Sequence, residues 1–290
     1  MAVEKKKRKR KKSGLVEIWR RLQKNRIAVV SFFILIVLVL IALFAPLLAP
    51  YGFDQQFRGM AFSPPSREHL LGNDALGRDI LSRLIYGSRQ SLQMGIYAVG
   101  ISAVLGILIG AIAGYYGGWV DNVTMRLLDI YSSIPTFLLA VTLASILGPS
   151  LRNAIIAIGI GIVPGSARLM RASILTVREM EYVEAAKTVN ASTFRIVRKH
   201  IIPNAISPMI VSITMGMGNS ILAAAGLSFI GLGVQPPIPE WGSMISEARS
   251  FLRAHGSLAI YPGICVMITV LAFNLLGDGL RDALDPRLNK

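Results

Sequence analysis

The chain is divided by stretches that contain no Asp, Glu, Lys or Arg: residues 27–53, 90–120, 130–151, 153–167, 201–239 and 254–277. A helix needs about 20 apolar residues to cross the hydrocarbon core of a bilayer, with a range of roughly 17–25. Five of the stretches reach that length. The short one, 153–167, is flanked by Arg152 and Arg168, whose long side chains can snorkel to the two interfaces. The pattern predicts an all-α polytopic membrane protein with six transmembrane helices, at 27–49, 92–116, 127–147, 153–171, 206–228 and 257–277. The stretch 201–239 has room for one span and an apolar loop, or for two tight spans. Gly231, Gly233, Pro236, Pro237 and Pro239 favour one span and a loop.

Finer periodicities add detail. Apolar residues at 76, 80, 81, 84 and 85 predict an amphipathic interfacial helix over 76–90, leading into the second span with its charges on a solvated face. Pro135 and Pro164 predict kinks. Gly106, Gly110, Gly114, Gly161 and Gly165 recur at four-residue spacing and predict close helix approach.

Composition agrees. The hydrophobic fraction is 53% and the charged fraction 16%, against about 25% charged in a soluble domain. A single soluble core cannot hide six uncharged stretches. The formal charge of +15 would suit a nucleic-acid binder, but its distribution does not. Residues 1–26 hold twelve Lys/Arg and two Glu, and residues 168–200 hold seven Lys/Arg and three Glu. The basic run Lys5–Lys12 has no interleaved aromatic residue of the kind a single-strand binder uses. Both clusters fit the positive-inside rule, which puts the N-terminus, the 168–200 loop and the C-terminus in the cytoplasm. The tail then also contacts anionic lipid. The first apolar run is too long for a signal-peptide core and no small-residue cleavage site follows it, so it is read as an uncleaved span. Cys265, in an apolar run, reads as a packing residue.

The sequence contains no GxxxxGK[ST], no HExxH and no GxSxG motif. The uncharged stretches lack the acids of a proton relay, which argues against a secondary carrier. Ser212, Thr214, Asn219 and Ser220, with Asn274, Thr136 and Thr142, are the polar positions available to line a route or to bond between helices.

The most informative segment is 178–204. Residues 179–189 suit a short helix, Asn190 a left-handed end and Ser192 the cap of a second helix. That helix would put Phe194, Val197 and Ile201 on one face and Arg195, Arg198 and Lys199 opposite. Ala185 and Ala186 permit close approach, and Glu184 offers a carboxylate to a basic partner. This segment resembles the EAA loop of ABC importer permeases at Glu184, Ala185, Ala186 and Pro203. It departs at Asn190, where Gly is usual, and at His200, where an aliphatic residue is usual. Further segments resemble the C-type permease of dipeptide/oligopeptide (peptide/nickel) ABC importers. These are Trp19–Arg21 with the first span, Leu71–Asp79, Leu227–Pro237 with Pro239–Gly242, and Gly277–Arg287.

The resemblance implies a type I ABC importer permease fold in a bacterial or archaeal plasma membrane. It implies four regions: a basic tail (1–26), a first span with external loop (27–91), a five-helix core with coupling loop 172–204 (92–277), and a C-terminal tail (278–290). The partners it implies are a homologous B-type permease, two cytoplasmic ATPases that bind ATP and Mg, and an extracytoplasmic substrate-binding protein. The chain itself would bind no cofactor and no metal and catalyse no bond chemistry. Glu184, Ala185, Ala186, Asn190 and Pro203 would couple to an ATPase, and Ser212, Thr214, Asn219 and Asn274 are the candidate pathway residues. Nickel and glutathione importers share this subunit type and stand as alternatives, as does an independent channel.

Overall fold

The computed structural model describes residues 14–284 and is helical throughout its ordered elements. The basic run 5–12 and the end of the tail beyond Leu284 lie outside the described residues. A short helix α1 (Gly14–Leu22) leads to α2 (Arg26–Leu43), which begins where the Asn25 side chain accepts from the Ala28 N–H at 3.1 Å. One turn, α3 (Ala45–Leu48), ends the first apolar run.

The long helix α4 spans Ile80–Tyr116. Its 37 residues extend for about 55 Å at 1.5 Å per residue, well beyond the roughly 30 Å of a hydrocarbon core. The predicted interfacial helix therefore does not exist as a separate element: residues 76–79 are loop, and residues 80–90 are the first turns of α4. Asp79 caps it, accepting from the Ser82 N–H at 2.7 Å, and Gly117 at φ 66° ends it.

Both predicted kinks are present. Helix α5 (Gly118–Ser132) meets α6 (Thr136–Leu147) at 79°, with Pro135 at the break. Helix α7 (Leu151–Gly161) meets α8 (Val163–Arg178) at 41°, with Pro164 in the first turn of α8. Each proline lacks the N–H that would continue the ladder. The third predicted span is thus a bent pair, and Asp129, inside its predicted limits, lies on α5 before the bend.

A short cluster follows: α9 (Glu181–Thr188), α10 (Thr193–Ile196), a π turn (Val197–Ile201) and α11 (Ile202–Ala205). Then come α12 (Ser207–Phe229), a non-helical 230–240, α13 (Trp241–Ala248) and α14 (Ser257–Leu284). One span and a loop is therefore the outcome for 201–239. Among the described residues, four helices are long and apolar enough to cross a membrane, and counting each bent pair as one span gives six.

Helix α4 is the centre of the bundle, with α8, α12 and α7 packed on it. The glycine ladder explains how. A Cβ at Gly106 would lie 2.9 Å from the Ser166 carbonyl carbon, at Gly110 2.8 Å from Met170 Cβ, and at Gly114 2.9 Å from Ile174 Cβ. The two backbones approach closer than any larger residue permits. At Gly161 the prediction also holds, with Thr136 Cγ2 at 3.2 Å, but a Cβ at Gly165 would meet nothing within 4 Å. Helix α14 makes two further glycine contacts, Gly277 on Met215 and Gly279 on Ala28. The outer faces of α2, α4 and α14 remain apolar and exposed, including Val30, Phe33, Leu108 and Leu271, as hydrocarbon or another apolar helix requires.

Candidate coupling surface, cavity and cap

At one end of the bundle, α8 runs directly into the EAA-like segment. Helix α9 is closed by a Schellman motif: the Asn190 N–H donates to the Lys187 carbonyl at 2.9 Å and the Ala191 N–H to the Ala186 carbonyl at 3.2 Å. Asn190 has φ 55°, the left-handed conformation expected of it. Replacing it with Gly is expected to leave the turn intact. Valine there should cost about 1–2 kcal/mol, because a β-branched residue is penalised in that region. Amide exchange of residues 186–191 checks this, and equal protection in both variants would refute it.

Burial sorts the motif residues. Val183 and Ala186 turn inward with Ile196, Ile201 and Met170, so Ala186 is a packing residue and Ala185 the outward one. Glu184 and Ala185 are exposed, flanked by Met180, Tyr182, Val189 (77% exposed) and Phe194 (73% exposed). The predicted face of Phe194, Val197 and Ile201 is therefore corrected: the π turn rotates the register, and Ile196 with Ile201 forms the buried face. Ser192 occupies the N-cap position without a side-chain cap bond. Pro203 sits exposed in the first turn of α11.

In the bundle a cavity of about 310 Å³ lies between α4, α6, α8 and α12. Its polar lining is Ser102, Thr136, Ser166, Ser212, Asn219 and Ser220, with no charged side chain. Ser102 Oγ and Ser166 Oγ are 2.7 Å apart. Of the four candidate pathway residues, the structure brings together Ser212 and Asn219, seven residues apart on α12. Thr214 points off this face and bonds back to the Ile210 carbonyl at 3.0 Å, and Asn274 lies on α14 outside the lining. Ser102 and Ser166 were missed because an isolated serine in an apolar helix gives no signal of the neighbour it will meet.

Arg168 bonds across to α5. Its Nη2 donates to the Leu128 carbonyl at 3.2 Å, Asp129 Oδ1 at 3.0 Å and Ser132 Oγ at 3.0 Å. Arg171 pairs with Asp121, and Arg178 Nη1 donates to the Gly114 carbonyl at 2.9 Å. Three guanidinium groups thus tie α8, the helix that precedes α9, to α5 and to the end of α4.

At the opposite end, segments 50–79 and 230–256 form a cap. Of the charges predicted to be solvated, Arg78, Asp79 and Arg83 are buried there, whereas Arg89 is exposed as expected. Arg83 (1% exposed) donates to Glu247 at 3.0 and 3.1 Å, and Arg78 to Glu247 at 2.7 Å and to Asp74 at 2.6 Å. His69 Nδ1 lies 2.9 Å from Asp79 Oδ1, and its ring packs against those of Tyr51 and Phe57. Glu240 caps α13 through the Gly242 and Ser243 N–H groups, both at 2.9 Å, and accepts from Ser91 Oγ at 3.0 Å. Trp241 donates to the Leu84 carbonyl at 3.1 Å. Leu71–Asp79 and Pro239–Gly242, distant in sequence, are both parts of this cap.

Comparison with known proteins accords with this arrangement. Residues 106–290 match the model of the binding-protein-dependent transport system inner membrane component, and residues 13–65 that of the N-terminal TM domain of oligopeptide transport permease C. The chain is 45% identical to the dipeptide transport system permease protein DppC of Alkalihalophilus pseudofirmus, over 94% of this chain and 90% of that protein. It is 44% identical to the di/tripeptide permease DppC of Pseudomonas aeruginosa, over 95% and 93% of the two chains. Identity is 43% to the glutathione permease GsiD of Pectobacterium atrosepticum, over 94% and 91%. Among solved structures, the inward-facing MetNI methionine ABC transporter shares the fold at TM-score 0.59 and 19% identity, over 71% of this chain and 98% of that one. With its glycine-packed bundle, its bent helix pairs and the EAA-like segment at one end, the chain belongs to the family of binding-protein-dependent transport system inner membrane components.

Proposed function

We propose that this chain is the C-type permease of an ATP-driven peptide importer in a bacterial or archaeal plasma membrane, with both termini cytoplasmic. It forms half of the translocation pathway, and a homologous B-type permease supplies the other half. Two cytoplasmic ATPases, which bind ATP and Mg, dock on the 180–194 surface, and an extracytoplasmic binding protein delivers the peptide to the cap. The relatives named for dipeptide and di/tripeptide transport support the substrate class. An uncharged cavity lined by hydroxyl and amide groups also suits peptide bonds without selecting one side-chain charge.

The observation that carries the coupling role is the α9 surface. Exposed Tyr182 on α9, Val189 at its C-terminal cap and Phe194 on α10 neighbour the exposed Glu184 and Ala185 in sequence, and the inner face of α9 packs on α8. Exposed apolar groups of this density mark a protein contact. When the ATPases close, the ties from α8 to α4 and α5 carry the motion of α9 into the bundle as a rigid-body rotation.

Substituting Glu184→Arg is expected to abolish co-purification of the ATPases and to lower uptake at least tenfold, while the permease pair stays intact. Normal assembly and uptake would sink the docking role. Glutathione is the second reading, supported by the relatives named for it. Uptake by the reconstituted complex, with peptides of two to six residues and with glutathione or nickel as competitors, separates the substrates.

A further inference from the structure

A second cavity, of about 300 Å³, adjoins the first. It lies under the two proline-containing bends and is lined by Tyr131, Ser132, Pro164 and Arg168 among others. The two cavities share Thr136, Ile162 and Gly165, so they meet at these residues. Gly165 stands at the junction with open space where a Cβ would be, unlike the glycines buried against helix backbones elsewhere in the bundle. Packing within this chain therefore does not require a glycine there, whereas an open passage does.

Arg168 lies one turn further along α8 and contributes the one charged side chain to either cavity lining. Spacing of i, i+3 puts it on the same helix face as Gly165. Its side chain is 41% exposed. Its three acceptors all engage Nη2, and neither Nη1 nor Nε has a hydrogen-bond partner among the described residues. The group is thus held in place with donors to spare, which suits recognition of a carboxylate. Asp129 at 3.0 Å offsets the positive charge. An anion would be held weakly enough to leave again, as a transport path requires.

We propose that Arg168 is the carboxylate-recognising group of the pathway: its Nη1 donors receive the C-terminal carboxylate of a peptide that passes Gly165 from the first cavity into the second. This assignment rests on the peptide-importer reading above.

The test uses the complete transporter with its binding protein in proteoliposomes. It compares a dipeptide with a free C-terminus to the same dipeptide as a C-terminal amide. Arg168→Gln should lower the ratio of free-acid to amide uptake by about tenfold, the worth of a charge-assisted hydrogen bond. Arg168→Lys, which keeps the charge, should lower it less than about threefold. The binding protein is the same throughout, so its own preference cancels between variants. Gly165→Leu should block both substrates at least tenfold in an assembled complex, by filling the junction. If Arg168 only ties α8 to α5, Arg168→Gln lowers both uptakes equally, and the unchanged ratio overturns the assignment. Normal uptake by Gly165→Leu overturns the passage at Gly165. A wild-type complex that imports no peptide overturns the importer reading and this assignment with it, whereas peptide uptake with an unchanged ratio in Arg168→Gln overturns the assignment alone.

Discussion

Replacing Glu247 with alanine is expected to destabilise the cap by about 3 kcal/mol or more, the cost of leaving buried cations without their partner. Glu247 is the acceptor shared by Arg78 and Arg83, and those guanidinium groups are 5% and 1% exposed. Asp74 remains beside both, at 2.6 Å from Arg78 and 3.5 Å from Arg83, so the loss lies at the low end of the range for a broken buried pair. Because the network joins the loop before α4 to α13, its failure loosens both segments of the cap together. Thermal unfolding of the purified permease in detergent measures the loss. The double variant Arg83→Met with Glu247→Leu should recover part of it, since removing both charges costs less than removing one. A single variant as stable as the wild type would show that the network contributes little.

The second large effect lies in the packing of α4 on α8. Gly110→Leu is expected to prevent the native bundle from forming. Even the first carbon of a side chain there would fall 2.8 Å from Met170 Cβ and 2.9 Å from the Arg171 nitrogen. These neighbours are backbone or branch atoms of a packed helix and cannot rotate away. Overpacking of one or two methylenes costs about 1–3 kcal/mol, and a whole leucine at a backbone-to-backbone contact exceeds that. Gly263→Leu on α14 is the control, because a Cβ there meets nothing within 4 Å. Yield, monodispersity and melting temperature should fall for Gly110→Leu and stay near wild type for Gly263→Leu. Equal behaviour of the two would remove the glycine ladder as the determinant of this contact.

The same ladder shows where sequence reading succeeds and where it stops. Gly106, Gly110 and Gly114 are legible because small residues at helical spacing have one common use, close approach of a second helix. Gly165 shares the spacing but not the use, since what a glycine faces is set by a neighbouring helix and not by its own. The charges near α4 give a parallel case. Arg78 and Arg83 read as solvated because most exposed-looking arginines are, and their partner Glu247 is 164 residues from Arg83. Among the polar pathway candidates, a step of two residues on α12, just over half a helical turn, separates Ser212, in the cavity, from Thr214, outside it.

By itself the sequence determined that the protein is helical and membrane-spanning, where the apolar helices fall, that Pro135 and Pro164 bend two of them, and that Asn190 ends α9 in a left-handed turn. These follow from transfer of apolar groups out of water and from local backbone sterics, which act within one helix or one turn. The tertiary structure alone decided which residues of each helix share a cavity, that Arg78, Arg83 and Glu247 form one buried network, that Ala185 and not Ala186 faces outward, and that Arg168 turns back to α5. Those facts depend on helix rotation and on partners far apart in the chain, and the free energies that fix them are pairwise contacts no local pattern encodes.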